Sequence, residues 1–205
     1  MMQQTRRQIL DSIKLMGPMS VDKLGEELGV MPVTIRAHVS VLERDHLLRG
    51  SEQRTGRAGR PCIIYALTEQ AQELFPSSYD NLASGILDNV KRLHGEKTVV
   101  RMVEKMGEDR AAVHANRIEG KDMDGKVEEV TQVLNEEGCL ATWEKRGSRY
   151  VLTAHNCPYL HVVEDRPEIC GMEVAFLRKA LSTKVKLVDS VASGAANCVF
   201  AISGR

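Results

Sequence analysis

Aromatic residues are scarce: 205 residues hold one Trp, four Tyr and three Phe. That argues against a single-strand nucleic-acid platform, which stacks bases on several exposed rings. No apolar run approaches the ~20 residues that a membrane helix requires. The opening "MMQQTRRQILDSIKLMG" has no apolar core followed by a small-residue cleavage site, so it does not read as a secretory signal. A cytoplasmic location is expected. An excess of one charge is also missing, with 28 basic against 28 acidic side chains. A nucleic-acid partner would have to meet a local basic patch rather than a polycation. The glycine-containing stretches "GSRY", "ASGAAN" and "RTGRAGR" lack the G-x-G-x-x-G spacing of a dinucleotide loop. Cysteines number five, an odd set. In a reducing compartment that set suits a metal site better than a disulfide framework. The length accommodates one large domain or two small ones.

The first 75 residues carry a helical pattern in three pieces. Ile9, Ile13 and Leu15 or Met16 share a period of 3.6, and Gly17 ends the run. Ser20 is placed to cap a second helix, with Asp22 in its first turn and Val21, Leu24 and Leu28 along one stripe. Gly29 suits a left-handed helix end, and Pro32 suits the first turn of a third helix. Ile35, Val39 and Leu42 form that helix's buried stripe. Two short helices joined at a glycine read as a helix-turn-helix, with a plain helical hairpin as the alternative. The face opposite the buried stripe holds Val33, Thr34, Arg36, Ala37, Ser40 and Arg44, the residues expected in a DNA major groove. His38 falls nearer the buried edge and reads as structural.

Leu47 and Leu48 start a strand, and "CIIYALT", residues 62–68, is a second. The loop between them holds Arg49, Arg54, Arg57 and Arg60 against one acid, Glu52, with Gly56 and Gly59 beside the arginines. It reads as the wing of a winged helix-turn-helix and as the local basic patch that a neutral chain needs. An arginine entering a narrow minor groove meets a negative potential. The segments "KLGEELGVMPVTIRAHVSVLERDHLL" and "RTGRAGRPCIIYALT" resemble the winged-helix repressors of the ArsR/DeoR-like group. The "GRP…Y.LT" wing is especially similar to the SufR-type iron–sulfur-dependent transcriptional regulators. Met31 departs from that pattern, which commonly has Ser, Thr or Asp as the cap; its absence should cost about 1 kcal/mol.

Residues 75–81, "FPSSYDN", read as a boundary. Residues 76–124 are expected to form linker and dimerisation helices, with Leu82, Ile86 and Val90, then Val99, Val103 and Met106, at helical spacing. Residues 125–205 are expected to be an α+β domain with a small antiparallel sheet. A helix over 125–138 precedes a hairpin turning at Gly147 and Ser148, a helix entered through Pro167, and a strand pair around Ser193 and Gly194. The fold class is thus mainly α plus α+β, with domains at 1–75, 76–124 and 125–205.

Cys157 follows a strand, Cys170 begins a helix and Cys198 lies in the last strand, where it alternates with Phe200 and Ile202. Each alone reads as a small buried residue. Their spacing does not fit the close ligand pairs of a zinc knuckle. Widely spaced thiolates on different elements can enclose an iron–sulfur cluster. "HNCPY", "PEIC" and "NCVFAI" are similar to the C-terminal signature of the SufR-type regulators, in which twelve residues also separate the first two cysteines. The resemblance implies a [4Fe–4S] cluster on Cys157, Cys170 and Cys198. A further cysteine of that signature would fall at Lys184 and is absent. His155 and Cys139 are the candidates for the fourth ligand, and Cys62 is expected to be structural.

The resulting expectation is not an enzyme. It is a homodimeric transcriptional repressor that binds an inverted repeat in double-stranded DNA under control of the cluster, without a membrane. The resemblance implies control of iron–sulfur cluster assembly genes. A zinc-binding winged-helix regulator is the alternative, and a small iron–sulfur redox enzyme a third reading.

Overall fold

The computed structural model describes residues 3–53 and 62–204. It is a mixed α/β structure with two antiparallel sheets, and the chain divides into two compact units, Met1–Ser77 and Ser78–Arg205. No described helix is long and apolar enough to cross a membrane.

The first unit contains α1 (Gln4–Met16), β1 (Met19–Ser20), α2 (Val21–Leu28), α3 (Pro32–Arg44), β2 (Leu48–Gln53), β3 (Cys62–Leu67) and the short α4 (Glu69–Gln72). Its core is a single cluster built around Ile9, Leu10, Leu24, Ile35 and Leu42, each almost fully buried. Burying such a side chain contributes about 1.5–3 kcal/mol. Leu10 joins Ile9 and Ile13 in this core, whereas Leu15 and Met16 are exposed. The Ser20 side chain accepts from the Lys23 N–H and caps α2. Gly29 ends the helix in the left-handed region at φ 64°. Gly25 is needed for close approach, since a Cβ there would stand 2.8 Å from the Val30 carbonyl oxygen. Met31 precedes α3 and supplies no side-chain cap. The sheet order is β1-β3-β2, and β2 and β3 pair antiparallel from Leu48↔Leu67 to Gln53↔Cys62. Arg49 therefore lies within β2 rather than in the loop, because backbone pairing continues to Gln53.

The second unit contains α5 (Tyr79–His94), α6 (Glu96–Val113), α7 (Ala115–Ile118), α8 (Met123–Glu136), β4 (Ala141–Arg146), β5 (Arg149–Ala154), α9 (Leu160–Val163), α10 (Cys170–Leu181), β6 (Val185–Asp189) and β7 (Cys198–Ser203). A 3₁₀ turn, Pro167–Ile169, leads into α10. The antiparallel sheet has the order β4-β5-β7-β6. Period-2 alternation turns Tyr150, Leu152 and Ala154 of β5 inward, with Phe200 and Ile202 of β7 beside them. They pack against Val130 and Leu134 of α8 and Phe176 and Leu177 of α10. Gly147, at φ 63°, permits the two-residue turn between β4 and β5.

Of residues 76–124, expected as a separate segment, 78–124 belong to this second unit, because α6 lies along α10. Gly107 permits that contact: a Cβ there would meet the Met172 carbonyl oxygen at 2.1 Å. Two expected stripes shift. On α5 the buried residue is Leu87, while Leu82 and Ile86 are exposed; on α6, Val99 and Val103 are buried but Met106 is exposed. The packing partners select these faces: α6 lies on α10 and α5 on α6 and α9, so that Leu87, Val99 and Val103 form one cluster with Met172 of α10.

Candidate functional site

On α3, the buried stripe Ile35, Val39 and Leu42 fixes the rotation of the helix. Val33, Thr34, Arg36, Ala37, Ser40 and Arg44 are consequently all exposed, and His38 is half-buried. Arg36 stands 3.6 Å from Asp22 and Arg44 3.7 Å from Asp45, both exposed pairs that exchange readily for another anion. Arg54, Arg57 and Arg60 lie outside the described residues. Cys62 is the first residue of β3 in the first unit, whereas the other four cysteines are in the second.

Those four are free thiols carried by four different segments. Cys139 lies between α8 and β4, two residues before the strand. Cys157 follows β5, Cys170 opens α10 and Cys198 opens β7. Cys139, Cys157 and Cys198 line one small cavity of about 30 Å³, together with Tyr159, Glu173 and Phe200. Cys170 is close enough for charge on Cys198 and Cys157 to raise its pKa. Cys139 is buried; the other three are half-buried. The Cys198 sulfur accepts from the Val191 N–H at 3.5 Å.

Burial pushes the Cys139 thiol up to about 12 and the Cys170 thiol up to about 11. Burial also raises Cys157, partly offset by the Tyr159 backbone N–H. A helix N-terminus by itself favours a thiolate, but at Cys170 desolvation by burial outweighs it, and charge on Cys198, Cys157 or Glu173 adds to the rise. These thiols are neutral near pH 7, and each charge placed on one opposes charge on the next. Only a cationic centre would let them ionise together. Among the described residues, no three His, Cys, Asp or Glu side chains are gathered closely enough to hold a single metal ion.

His155 points elsewhere. Its Nε2 lies 3.1 Å from the Thr142 hydroxyl, and the residue is exposed. An ion-pair network missed by sequence reasoning borders the cavity instead. Glu173, one turn after Cys170, accepts two hydrogen bonds from Arg110 of α6, at 2.9 and 2.6 Å. Arg110 also lies 3.4 Å from Glu137 and 4.1 Å over the Phe176 ring. The i, i+3 spacing of Cys170 and Glu173 was the available signal, since it puts both on one helix face.

No protein-family model matches the chain, and no curated protein matches it. Among solved structures, a distant likeness is found to the phenol-responsive sensory domain of the transcription activator PoxR, crystallised with phenol. The match covers 83% of this chain and 90% of that chain, with a TM-score of 0.46 and 13% identity.

Proposed function

We propose that the protein is a transcriptional repressor, not an enzyme, that binds DNA through its first unit and holds an iron–sulfur cluster in its second. The observation that carries this reading is that three free thiols line one cavity and a fourth, Cys170, is close enough to interact with two of them, in a chain that has only five cysteines. The donor set fits the group: thiolates are its usual ligands, and separate elements provide the spread that several irons need. Cys157, Cys170 and Cys198 would hold it. When bound, the centre supplies a redox- and oxygen-sensitive link between the residue after β5, the start of α10 and the start of β7.

The DNA half of the reading rests on α3. Its exposed face offers Thr34, Ser40 and two arginines in weak surface pairs, and a helix of 13 residues fits a major groove. The first unit is read as a winged helix-turn-helix. One such reader per chain suits a homodimer on an inverted repeat. The exposed Tyr79, Leu82, Ile86 and Leu93 on α5 offer an apolar stripe for that pairing.

The test is chemical analysis of protein purified without oxygen. Iron and acid-labile sulfide in equal amounts, with no zinc, support the cluster. One tightly held zinc without sulfide refutes it and leaves a zinc-dependent regulator. Selection of bound fragments from random duplex DNA tests the other half, and failure to enrich any inverted repeat would refute sequence-specific binding.

A further inference from the structure

We infer that Cys139 supplies the fourth sulfur of the metal centre formed with Cys157, Cys170 and Cys198. The inference rests on the metal-centre reading above and deepens it. Four observations carry it. First, Cys139 shares its cavity with Cys157 and Cys198 and is close enough to Cys157 to feel its charge. Second, the backbone is bent to aim it there. Gly138 at φ 86° and Leu140 at φ 49° place a left-handed residue on each side of Cys139. Leucine rarely adopts that region, and here its side chain is left 64% exposed. A strained leucine that gains no burial is unexplained by packing but does reverse the chain so that Cys139 faces inward.

Third, the segment is tied to the loop that carries Cys157. The Asn156 N–H donates to the Cys139 carbonyl at 2.9 Å, the Asn156 side chain donates to the Gly138 carbonyl at 2.7 Å, and the His155 N–H donates to the Leu140 carbonyl at 3.3 Å. The Cys139 N–H is held by the Leu134 carbonyl at the end of α8. Two thiols on adjacent, cross-bonded turns are pre-positioned for one centre. Fourth, the competing donors are engaged. The His155 ring meets Thr142, and both Glu173 carboxylate oxygens accept from Arg110.

The same geometry explains why Lys184 need not be cysteine. Lys184 lies beyond the far end of α10, and the helix from Cys170 to Leu181 alone spans about 17 Å. Its carbonyl accepts from Ser203, at the opposite end of β7 from Cys198. A thiol there could not reach the other three in this fold. Each thiol gives up its proton on binding, so transfer of a preassembled cluster into the site releases four protons and changes no oxidation state.

The experiment uses the full chain loaded without oxygen by transfer of a preassembled four-iron cluster made with isotopically enriched iron, read by Mössbauer spectroscopy. The wild type is expected to show only thiolate-ligated iron. In Cys139→Ser, about a quarter of the iron should move to a distinct oxygen-ligated environment, one iron of four, and mild oxidation should then yield a three-iron EPR signal. His155→Ala should match the wild type. A distinct quarter of the iron already present in the wild type, or an unchanged spectrum in Cys139→Ser, overturns the inference. The wild-type spectrum decides the point even if the variant fails to fold. If the wild type takes up zinc and no sulfide, the cluster reading fails alone. Cobalt(II) substitution then reads the thiolate count: sulfur-to-cobalt absorption about a quarter lower in Cys139→Ser supports the inference, and equal absorption overturns it. Uptake of neither metal overturns both.

Discussion

Gly107→Ala tests whether α6 and α10 touch backbone to backbone. By helix propensity alone the substitution should stabilise the protein, since glycine within a helix costs about 1 kcal/mol relative to alanine. The structure reverses the sign. The new Cβ would stand 2.1 Å from the Met172 carbonyl oxygen, 2.9 Å from the Phe176 nitrogen and 3.0 Å from the Met172 carbonyl carbon. Ordinary contact begins at 3.4 Å, so the oxygen must move away by 1.3 Å. No side-chain rotation relieves a clash with backbone. The helices must separate, loosening Val103, Met172 and Phe176, all now buried. Overpacking costs about 1–3 kcal/mol, and a backbone clash belongs at the upper end. Less the propensity gain, a net loss of about 2 kcal/mol is expected. For a unit of this size that lowers Tm by roughly 6–10 °C. Trp143, the single tryptophan, lies in the second unit, so its fluorescence during heating follows that unit alone. An unchanged or raised midpoint would refute the close packing and the reasoning built on it.

Other outcomes follow from particular contacts. Arg110→Met should destabilise the second unit by about 3 kcal/mol in urea unfolding, because Glu173 and Glu137 are left largely buried without their cation. Cys157→Ser, Cys170→Ser and Cys198→Ser should each purify nearly colourless without oxygen, while Cys62→Ser, in the other unit, keeps the wild-type absorption. Arg36→Ala should weaken binding to a selected DNA site by about 1–3 kcal/mol in a shift assay, because its guanidinium lies on the exposed face of α3. Hydrogen bonds from Lys145 and then Tyr150 hold the Asp124 carboxyl below its ordinary value of 3.8. A depressed carboxyl stabilises the fold above its unfolded pKa and ceases to do so as pH falls through the folded one. Asp124→Asn should therefore lower Tm at pH 7 and leave it unchanged once the pH is well below 3.8.

The sequence alone determined most of what depends on neighbours along the chain. Ser20, Gly29 and Pro32 mark the ends of α2 and the start of α3 because caps and left-handed turns are local devices. The stripe Ile35, Val39 and Leu42 likewise fixed which face of α3 is exposed. The Gly147 turn and the alternation through β5 and β7 were legible for the same reason. Only the tertiary structure decided which faces of α5 and α6 are buried. Both helices carry apolar residues on more than one side, and packing of α5 on α6 and α9 selects Leu87 over Leu82 and Ile86. Nor could spacing rank His155 against Cys139. His155 is nearer to Cys157 in sequence, yet it turns to Thr142, whereas Cys139 is carried to the cavity by cross-bonds between two turns eighteen positions apart. Arg110 and Glu173 met only through the packing of α6 on α10. A pairing across 63 positions leaves no mark in sequence periodicity, because periodicity records one element's orientation and not its partner.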